Sequence, residues 1–198
     1  KEYYLDEWQD VYFQSRDSDI KINGWLFNYF PNRPIIIVTH GISPNGKCKS
    51  EPNLIASFLV NKKFNVLTID LRNYGQSDTV SNYDDLGLKS YNDILGAFDF
   101  LKQIGFKSTS IGLHGISLGA STSIFAANAE QEILAIWADS SLAEFNMILK
   151  DEIARYGLAI EFGPAVSLAG RILTGINPSE LSPAKKLTNK QFYFFTHG

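Results

Sequence analysis

Cysteine is almost absent from this 198-residue chain, which carries Cys48 alone. A single cysteine excludes an intrachain disulfide and fits a reducing compartment, so we expect a cytoplasmic protein. No apolar run approaches the ~20 residues that cross a bilayer, which excludes a membrane-spanning helix. The first ten residues are too polar for a signal-peptide core, although the chain starts with Lys rather than Met and a removed leader stays open.

The chain also lacks a strong charge of either sign and has few metal-binding residues. There are 18 Lys and Arg against 21 Asp and Glu, giving a formal net charge of −3. Without a dense basic run, neither nucleic acid nor an anionic membrane is an expected partner. The three histidines and one cysteine form no cluster with metal-ligand spacing. We therefore expect no zinc site and no cofactor.

Apolar residues alternate between short β-branched runs and longer segments with helical spacing. Strands that alternate with helices favour an α/β fold with a mostly parallel sheet covered on both faces. We expect one domain over residues 1–198, an N-terminal β-hairpin, and a helical cap-like insertion at 142–187. The predicted strands are 11–16, 20–29, 35–38, 66–69, the run before residue 115, 133–137 and 191–196, and the predicted helices are 51–63, 88–104 and a run near 120–127.

The most informative stretch lies between a buried strand and a helix in the middle of the chain. It contains Gly115-Ile116-Ser117-Leu118-Gly119, a G-x-S-x-G pattern. At a sharp strand-to-helix turn the serine is forced into a strained backbone conformation and its hydroxyl projects above the sheet. The helix that follows directs its N-terminal N–H groups toward developing negative charge. This context predicts a nucleophilic serine.

Polar residues fall at or just past the ends of the predicted strands, where the ligand sites of open α/β sheets form. They are His40, Asp70, Ser117, Asp139 and His197.

Four segments together give a family resemblance that covers nearly the whole chain. His40-Gly41 resembles the oxyanion loop of α/β-hydrolases, and residues 70–78 resemble their D-x-R-x-x-G-x-S segment. The serine turn resembles their nucleophile elbow. Asp139-Ser140-Ser141, the helical excursion and Ser182-Pro183 are similar to the bacterial branch allied to dienelactone hydrolases and acyl-peptidases.

The resemblance implies a cofactor-independent serine hydrolase. Ser117 would attack an ester, thioester or small amide, and the backbone N–H groups of Ile42 and Leu118 would hold the oxyanion. Arg72 and Tyr74 are expected to support the loop after the fourth strand and to line the pocket wall. The helical insertion would line an acyl pocket, so we expect a small-molecule acyl substrate with an apolar portion.

A serine hydroxyl also needs a histidine base that a carboxylate orients. In the family these residues follow the last two strands, so we expect them beyond Gly198, with a final strand and a closing helix. Within the chain, His40 and His114 are surrogate candidates for the base, and Asp139 is a stand-in for the acid. His197 is expected to order the acid loop. Without a further strand, the aromatic edge at 191–196 is expected to self-associate.

Two other functions stay open. Residues 41–48, GISPNGKC, are one residue short of a phosphate-binding P-loop, but Cys48 replaces the hydroxyl that ligates Mg²⁺ and Pro44 removes a backbone N–H. Lys47 and Lys49 flank Cys48 and are expected to lower its pKa somewhat, although a lone loop cysteine is usually inert.

A non-catalytic, hydrolase-like binding protein is the other alternative. Covalent reaction of Ser117 with an electrophile separates it from the hydrolase.

Overall fold

A computed structural model describes residues 5, 7–16, 18–48, 50–157 and 159–197. Seven strands and five α-helices lie in those residues, in mainly alternating order after an initial pair of strands. The strands are β1 (Gln9–Gln14), β2 (Lys21–Phe27), β3 (Ile35–Thr39), β4 (Asn65–Ile69), β5 (Ile111–Ile116), β6 (Ala135–Asp139) and β7 (Phe192–Thr196). The helices are α1 (Ser50–Asn61), α2 (Tyr91–Gln103), α3 (Leu118–Ala129), α4 (Phe145–Arg155) and α5 (Gly163–Thr174).

All seven strands belong to one mixed sheet with the order β1-β2-β4-β3-β5-β6-β7. The first two strands form the predicted antiparallel hairpin, and β2 also runs antiparallel to β4. From β4 through β7 every neighbouring pair is parallel. The α/β architecture predicted from the alternating pattern is confirmed. Because parallel strands end at the same edge, β3, β4, β5 and β6 bring their following loops together there.

The two faces of the sheet are covered by different helices. Ile37 of β3 belongs to a core cluster with residues of α2 and α3. Its neighbour Val38 packs instead with Ala56 and Leu59 of α1. Successive side chains of a strand point to opposite faces, so an uninterrupted apolar run such as β3 must be covered on both.

Several predicted element boundaries differ from the structure by two or three residues. Strand β1 lies at Gln9–Gln14 rather than at 11–16, and β2 ends at Phe27 rather than at residue 29. Helix α2 begins at Tyr91 rather than at residue 88, because the Asp85 carboxylate accepts hydrogen bonds from the N–H groups of Gly87 and Ser90 in the preceding turn. Strand β6 is shifted two residues along from the predicted 133–137. Its first residue, Ala135, is exposed, so the strand is only partly buried.

The segment 142–187 contains α4, α5 and three short 3-10 turns. Several of its apolar side chains are exposed, including Met147, Ile172 and Leu173. Its role as a cap above the site stays a prediction. In the described part of the chain, none of the helices combines the length and the apolar character that crossing a bilayer requires.

Strand β7 forms one edge of the sheet among the described residues, and its aromatic side chains are largely exposed. Phe192 is 80% and Phe194 61% exposed, while Tyr193 packs toward the core. An exposed aromatic edge pairs readily with another strand. Self-association of the 198-residue chain through 191–196 therefore stays a prediction. A molar mass above that of the monomer in light scattering, lowered by Phe194→Lys, is the expected result, and a monomer throughout would contradict it.

Candidate active site

Ser117 occupies the turn between β5 and α3, at the centre of the sheet edge where the parallel strands end. Its backbone has φ 52° and ψ −109°, a conformation that L residues rarely adopt. Strain of this kind persists only where the surroundings enforce it. Here the Ser117 N–H donates to the carbonyl oxygen of Asp139 (2.8 Å), and the Ser117 carbonyl accepts from the N–H groups of Ala120 and Ser121.

The two motif glycines are required by close backbone packing around the turn. A Cβ on Gly115 would overlap the Gly119 carbonyl and lie 2.5 Å from the Ala120 nitrogen. A Cβ on Gly119 would overlap the Thr39 carbonyl and lie 2.7 Å from that of His40. In addition, the Gly119 N–H donates to the His40 carbonyl oxygen at 3.1 Å. The G-x-S-x-G spacing therefore holds the serine turn against the end of β3.

The loop that follows β3, residues 40–48 (the β3 loop), passes directly beside the serine. A Cβ on Gly41 would lie 3.3 Å from the Ser117 Cβ and 3.9 Å from its Oγ. The next residue, Ile42, points its side chain outward and is 59% exposed. Within the described residues, neither the Ile42 N–H nor the Leu118 N–H has a hydrogen-bond acceptor. Both donors are therefore free for a ligand oxygen.

His40 is fully buried, and both nitrogens of its ring are engaged. Nδ1 lies 2.7 Å from the Gly41 carbonyl oxygen, and Nε2 accepts the N–H of Leu71 at 3.2 Å. This pairing assigns the proton to Nδ1. Burial lowers the pKa of His40 and keeps the ring neutral. These contacts fit a residue that shapes the β3 loop, and they leave no ring nitrogen for the Ser117 hydroxyl.

His114 lies on β5, buried, with its ring against the edge of Trp137 at a centroid distance of 4.3 Å. Neither of its ring nitrogens has a hydrogen-bond partner among the described residues. Burial lowers the pKa of His114 to about 4, and the negative charge of Asp139 opposes that shift only in part. The neutral ring is a packing element of the sheet.

Replacing His114 by phenylalanine is expected to flatten the pH dependence of stability. The unfolded chain takes up the proton near pH 6.5 and the folded chain only near pH 4. The contribution of His114 to stability is thus complete above pH 6.5 and falls by about 3 kcal/mol toward pH 4. Urea unfolding at pH 7.5 and pH 4.5 should show a smaller difference in His114→Phe than in the parent. An equal difference would contradict this pKa.

Asp139 ends β6 next to the serine turn. Its carbonyl accepts the Ser117 N–H, and its carboxylate accepts the Ser140 hydroxyl at 3.2 Å. Ser140 has a positive φ of 54° and donates its N–H to the carbonyl oxygen of Thr196. Asp139 thus supports both the elbow and the start of the next segment. Across the described residues, no side chain is hydrogen-bonded to the Ser117 Oγ.

The lysine that suggested a P-loop is directed into the protein. Lys47 is fully buried, and its ammonium lies 2.6 Å from the Asp70 carboxylate and in contact with the Asn23 side chain. A lysine held in this way is not available to a phosphate, so the P-loop reading is wrong. Cys48 is exposed, yet the pKa of its thiol is raised because desolvation by the surrounding protein outweighs the charge of Lys47. This is contrary to the lowering expected from its lysine neighbours.

Arg72 and Tyr74 brace the loop after β4. Arg72 is buried and forms a bidentate ion pair with Asp93 of α2, with 2.6 Å between Nη2 and Oδ1. The expectation that Arg72 lines a pocket wall is therefore wrong. Tyr74 donates its hydroxyl to Asp84 at 2.5 Å, and its ring lies 4.9 Å from that of His40. Burial and this hydrogen bond raise the pKa of Tyr74, and burial raises that of Asp84.

An apolar cavity of about 320 Å³ adjoins the same end of the sheet. Ile124 lines it two turns along α3 from Ser117, with Leu142 after β6 and Phe195 and His197 at the end of β7. Among the described residues, no three His, Cys, Asp or Glu side chains gather into a set that could hold a metal ion.

With this geometry in place, comparison with known proteins identifies the family. The family model described as alpha/beta hydrolase fold matches residues 34–159, more than half of the chain. The chain belongs to the alpha/beta hydrolase fold family.

The chain is similar to several hydrolases that are longer than it is. It is 28% identical over 138 residues to "Thiohydrolase aneE" of Aspergillus aculeatus, covering 69% of this chain and 42% of the relative. An esterase of Pyrococcus furiosus, Pf2001, shares 27% identity at a TM-score of 0.63, over 74% of this chain and 56% of the esterase. An acylaminoacyl peptidase of Pyrococcus horikoshii has the same fold, with a TM-score of 0.66 and 20% identity. The match covers 96% of this chain and 31% of the peptidase. The matched region thus covers less than half of the thiohydrolase, and 56% of the Pf2001 esterase in this crystal form.

Proposed function

We propose that this protein is a serine hydrolase that cleaves an ester, thioester or small amide through an acyl-enzyme on Ser117. One observation carries the proposal. The strained Ser117 lies beside Gly41 of the β3 loop, and the N–H groups of the residues that follow these two, Leu118 and Ile42, have no acceptor in the described part of the chain. Backbone strain is retained where it serves a function, and free donors next to a nucleophile suit an oxyanion.

The reaction follows from these groups. The Ser117 Oγ adds to the carbonyl carbon of the substrate while its proton passes to a general base. The carbonyl oxygen becomes an oxyanion that accepts hydrogen bonds from the Ile42 and Leu118 N–H groups, each such donor stabilising the transition state by about 3 kcal/mol. The intermediate then expels the protonated alcohol, thiol or amine and leaves an acyl ester on Ser117. Water adds to that ester, the acyl group leaves as a carboxylic acid, and the Ser117 oxygen regains its proton.

The base of this reaction is not supplied by the two buried histidines. His40 uses both ring nitrogens in backbone contacts, and His114 is enclosed against Trp137. The proposal therefore concerns the whole protein, and the test includes the longest natural chain that contains this sequence.

The site also supports a proposal for the substrate. The cavity near Ile124 and Phe195 is lined mainly by apolar side chains, which suits the apolar acyl portion expected from the sequence. Two relatives are named thiohydrolase and esterase, which favours thioesters or esters over amides as first substrates to examine.

A second function competes because no side chain in the described part is hydrogen-bonded to the Ser117 hydroxyl. A hydrolase-like protein without chemistry would bind apolar ligands in the same cavity and leave the serine unreacted. The strain at Ser117 argues against this function, since ligand binding alone has no use for it.

Intact mass after exposure to a fluorophosphonate tests the proposal. We expect one adduct per chain, absent from Ser117→Ala. An adduct on the longer chain alone would assign the base to residues outside this sequence, and an adduct on the 198-residue chain would return the role to His40 or His114. No adduct on either chain would contradict the proposed function and favour the binding protein.

A further inference from the structure

The buried pair of Lys47 and Asp70 has an unusual location for two full charges. Both side chains are completely inaccessible, and Nζ and Oδ2 lie 2.6 Å apart. The ammonium also contacts the Asn23 side chain, lies 3.3 Å from the Gln76 Oε1, and lies 4.8 Å from the centre of the Trp25 ring. A buried ion pair is weak grounds for stability, since matched apolar residues often replace one without loss. The geometry of the Lys47–Asp70 pair is therefore more informative than its contribution to stability.

Among the described residues, the Asp70 carboxylate contacts both the β3 loop and the loop after β4. Oδ1 accepts the backbone N–H of Lys47 at 2.6 Å, and Oδ2 accepts that of Gln76 at 2.9 Å in addition to the lysine ammonium. Lys47 belongs to the β3 loop, and Gln76 belongs to the loop after β4. The carboxylate is thus shared by the two loops at the carboxyl end of the sheet.

Within the described part of the chain, the hydrogen bonds in the middle of the β3 loop are formed within the loop itself. Gly46 and Cys48 donate their N–H groups to Ser43 and Asn45, all within the loop. At its start, the His40 carbonyl accepts the Gly119 N–H beside the serine turn. At its other end, Lys47 is bound to Asp70. These two ends determine where the Ile42 N–H lies relative to Ser117.

We propose that Lys47, through its ion pair with Asp70, is a positioning residue for the Ile42 N–H that stabilises the oxyanion. The inference rests on the proposed hydrolase function and extends it to a residue that does not touch the substrate. Loss of the pair lets residues 41–46 move away from Ser117, so the transition state loses a donor while ground-state binding of an apolar substrate persists.

The test uses Lys47→Met together with Lys47→Met/Asp70→Asn. The double variant removes both charges and so leaves no unpaired charge in the interior. Lys102→Met is the matched control, because Lys102 pairs with Glu132 on the surface. Each variant is made in the longest natural chain, its active fraction is titrated with fluorophosphonate, and kcat and KM are measured with a short-chain p-nitrophenyl ester. Hydrogen exchange followed by mass spectrometry reports on residues 41–46.

We expect kcat per active site to fall about 100-fold in both Lys47 variants, with KM within about threefold of the parent, as for loss of one oxyanion donor. Exchange of 41–46 should quicken while that of α2 stays unchanged, and Lys102→Met should behave as the parent. An unchanged kcat in the folded double variant would overturn the proposal. If the parent itself forms no adduct and turns over no ester, the hydrolase function fails. Faster loop exchange then still supports anchoring by Lys47, and unchanged exchange overturns that as well.

Discussion

Replacing Ser117 by alanine is expected to lower kcat for ester hydrolysis by about 10⁴-fold or more, with little change in KM. The alanine keeps the turn but removes the atom that is proposed to form the acyl bond. The proposed oxyanion donors and the cavity stay in place, so we expect the substrate still to bind. Initial rates over a range of substrate concentrations measure both constants.

Ser121→Ala is the matched control for this substitution. Ser121 lies one turn further along α3, is buried, and has its hydroxyl 3.4 Å from that of Ser141. Loss of this second hydroxyl should leave kcat within about threefold of the parent. Equal activity of Ser117→Ala and Ser121→Ala would mean that the strained serine takes no part in the reaction.

Replacing Gly115 by alanine is expected to destabilise the fold by about 3 kcal/mol, at the upper end of what overpacking a core costs. The new methyl group would overlap the backbone of Gly119 and Ala120, which cannot withdraw without moving α3 from the end of β3. The free energy of unfolding in urea, with a check that the slope against urea is unchanged, measures the effect.

Gly170→Ala separates this clash from the general effect of removing a glycine. Gly170 lies inside α5, and a Cβ there would meet nothing within 4 Å. Alanine in an open helical position should raise stability by about 0.5–1 kcal/mol. If both glycine variants moved the unfolding free energy in the same direction, the close packing around the elbow would not be the cause of the Gly115 effect.

Local patterns of the sequence were enough to predict the class of fold and the serine turn. An unbroken β-branched run such as 35–38 has no polar side chains on either face of the strand, so it predicts a strand that is buried on both faces. The G-x-S-x-G pattern works because its glycines meet backbone atoms only a few residues away or at the end of one neighbouring strand. Both signals are local, and the structure confirms the strand and the strand-to-helix turn.

Local sequence patterns do not predict the hydrogen-bond and ion-pair partners of Lys47 and Arg72. The spacing of residues in GISPNGKC predicts that Lys47 binds phosphate. Its partners in the structure, Asn23 and Asp70, lie 24 and 23 residues away in the sequence. Arg72 likewise pairs with Asp93 on a different element. Asp70, directly after β4, is a useful signal, since a buried lysine needs a carboxylate within reach.

The structure of the fluorophosphonate-labelled protein would test the central claim most directly. We predict that phosphorus is bonded to the Ser117 Oγ, with its oxygen 2.7–3.1 Å from the backbone nitrogens of both Ile42 and Leu118, the distance range of an oxyanion hole. Phosphorus on another residue, or an oxygen turned away from both N–H groups, would contradict the account.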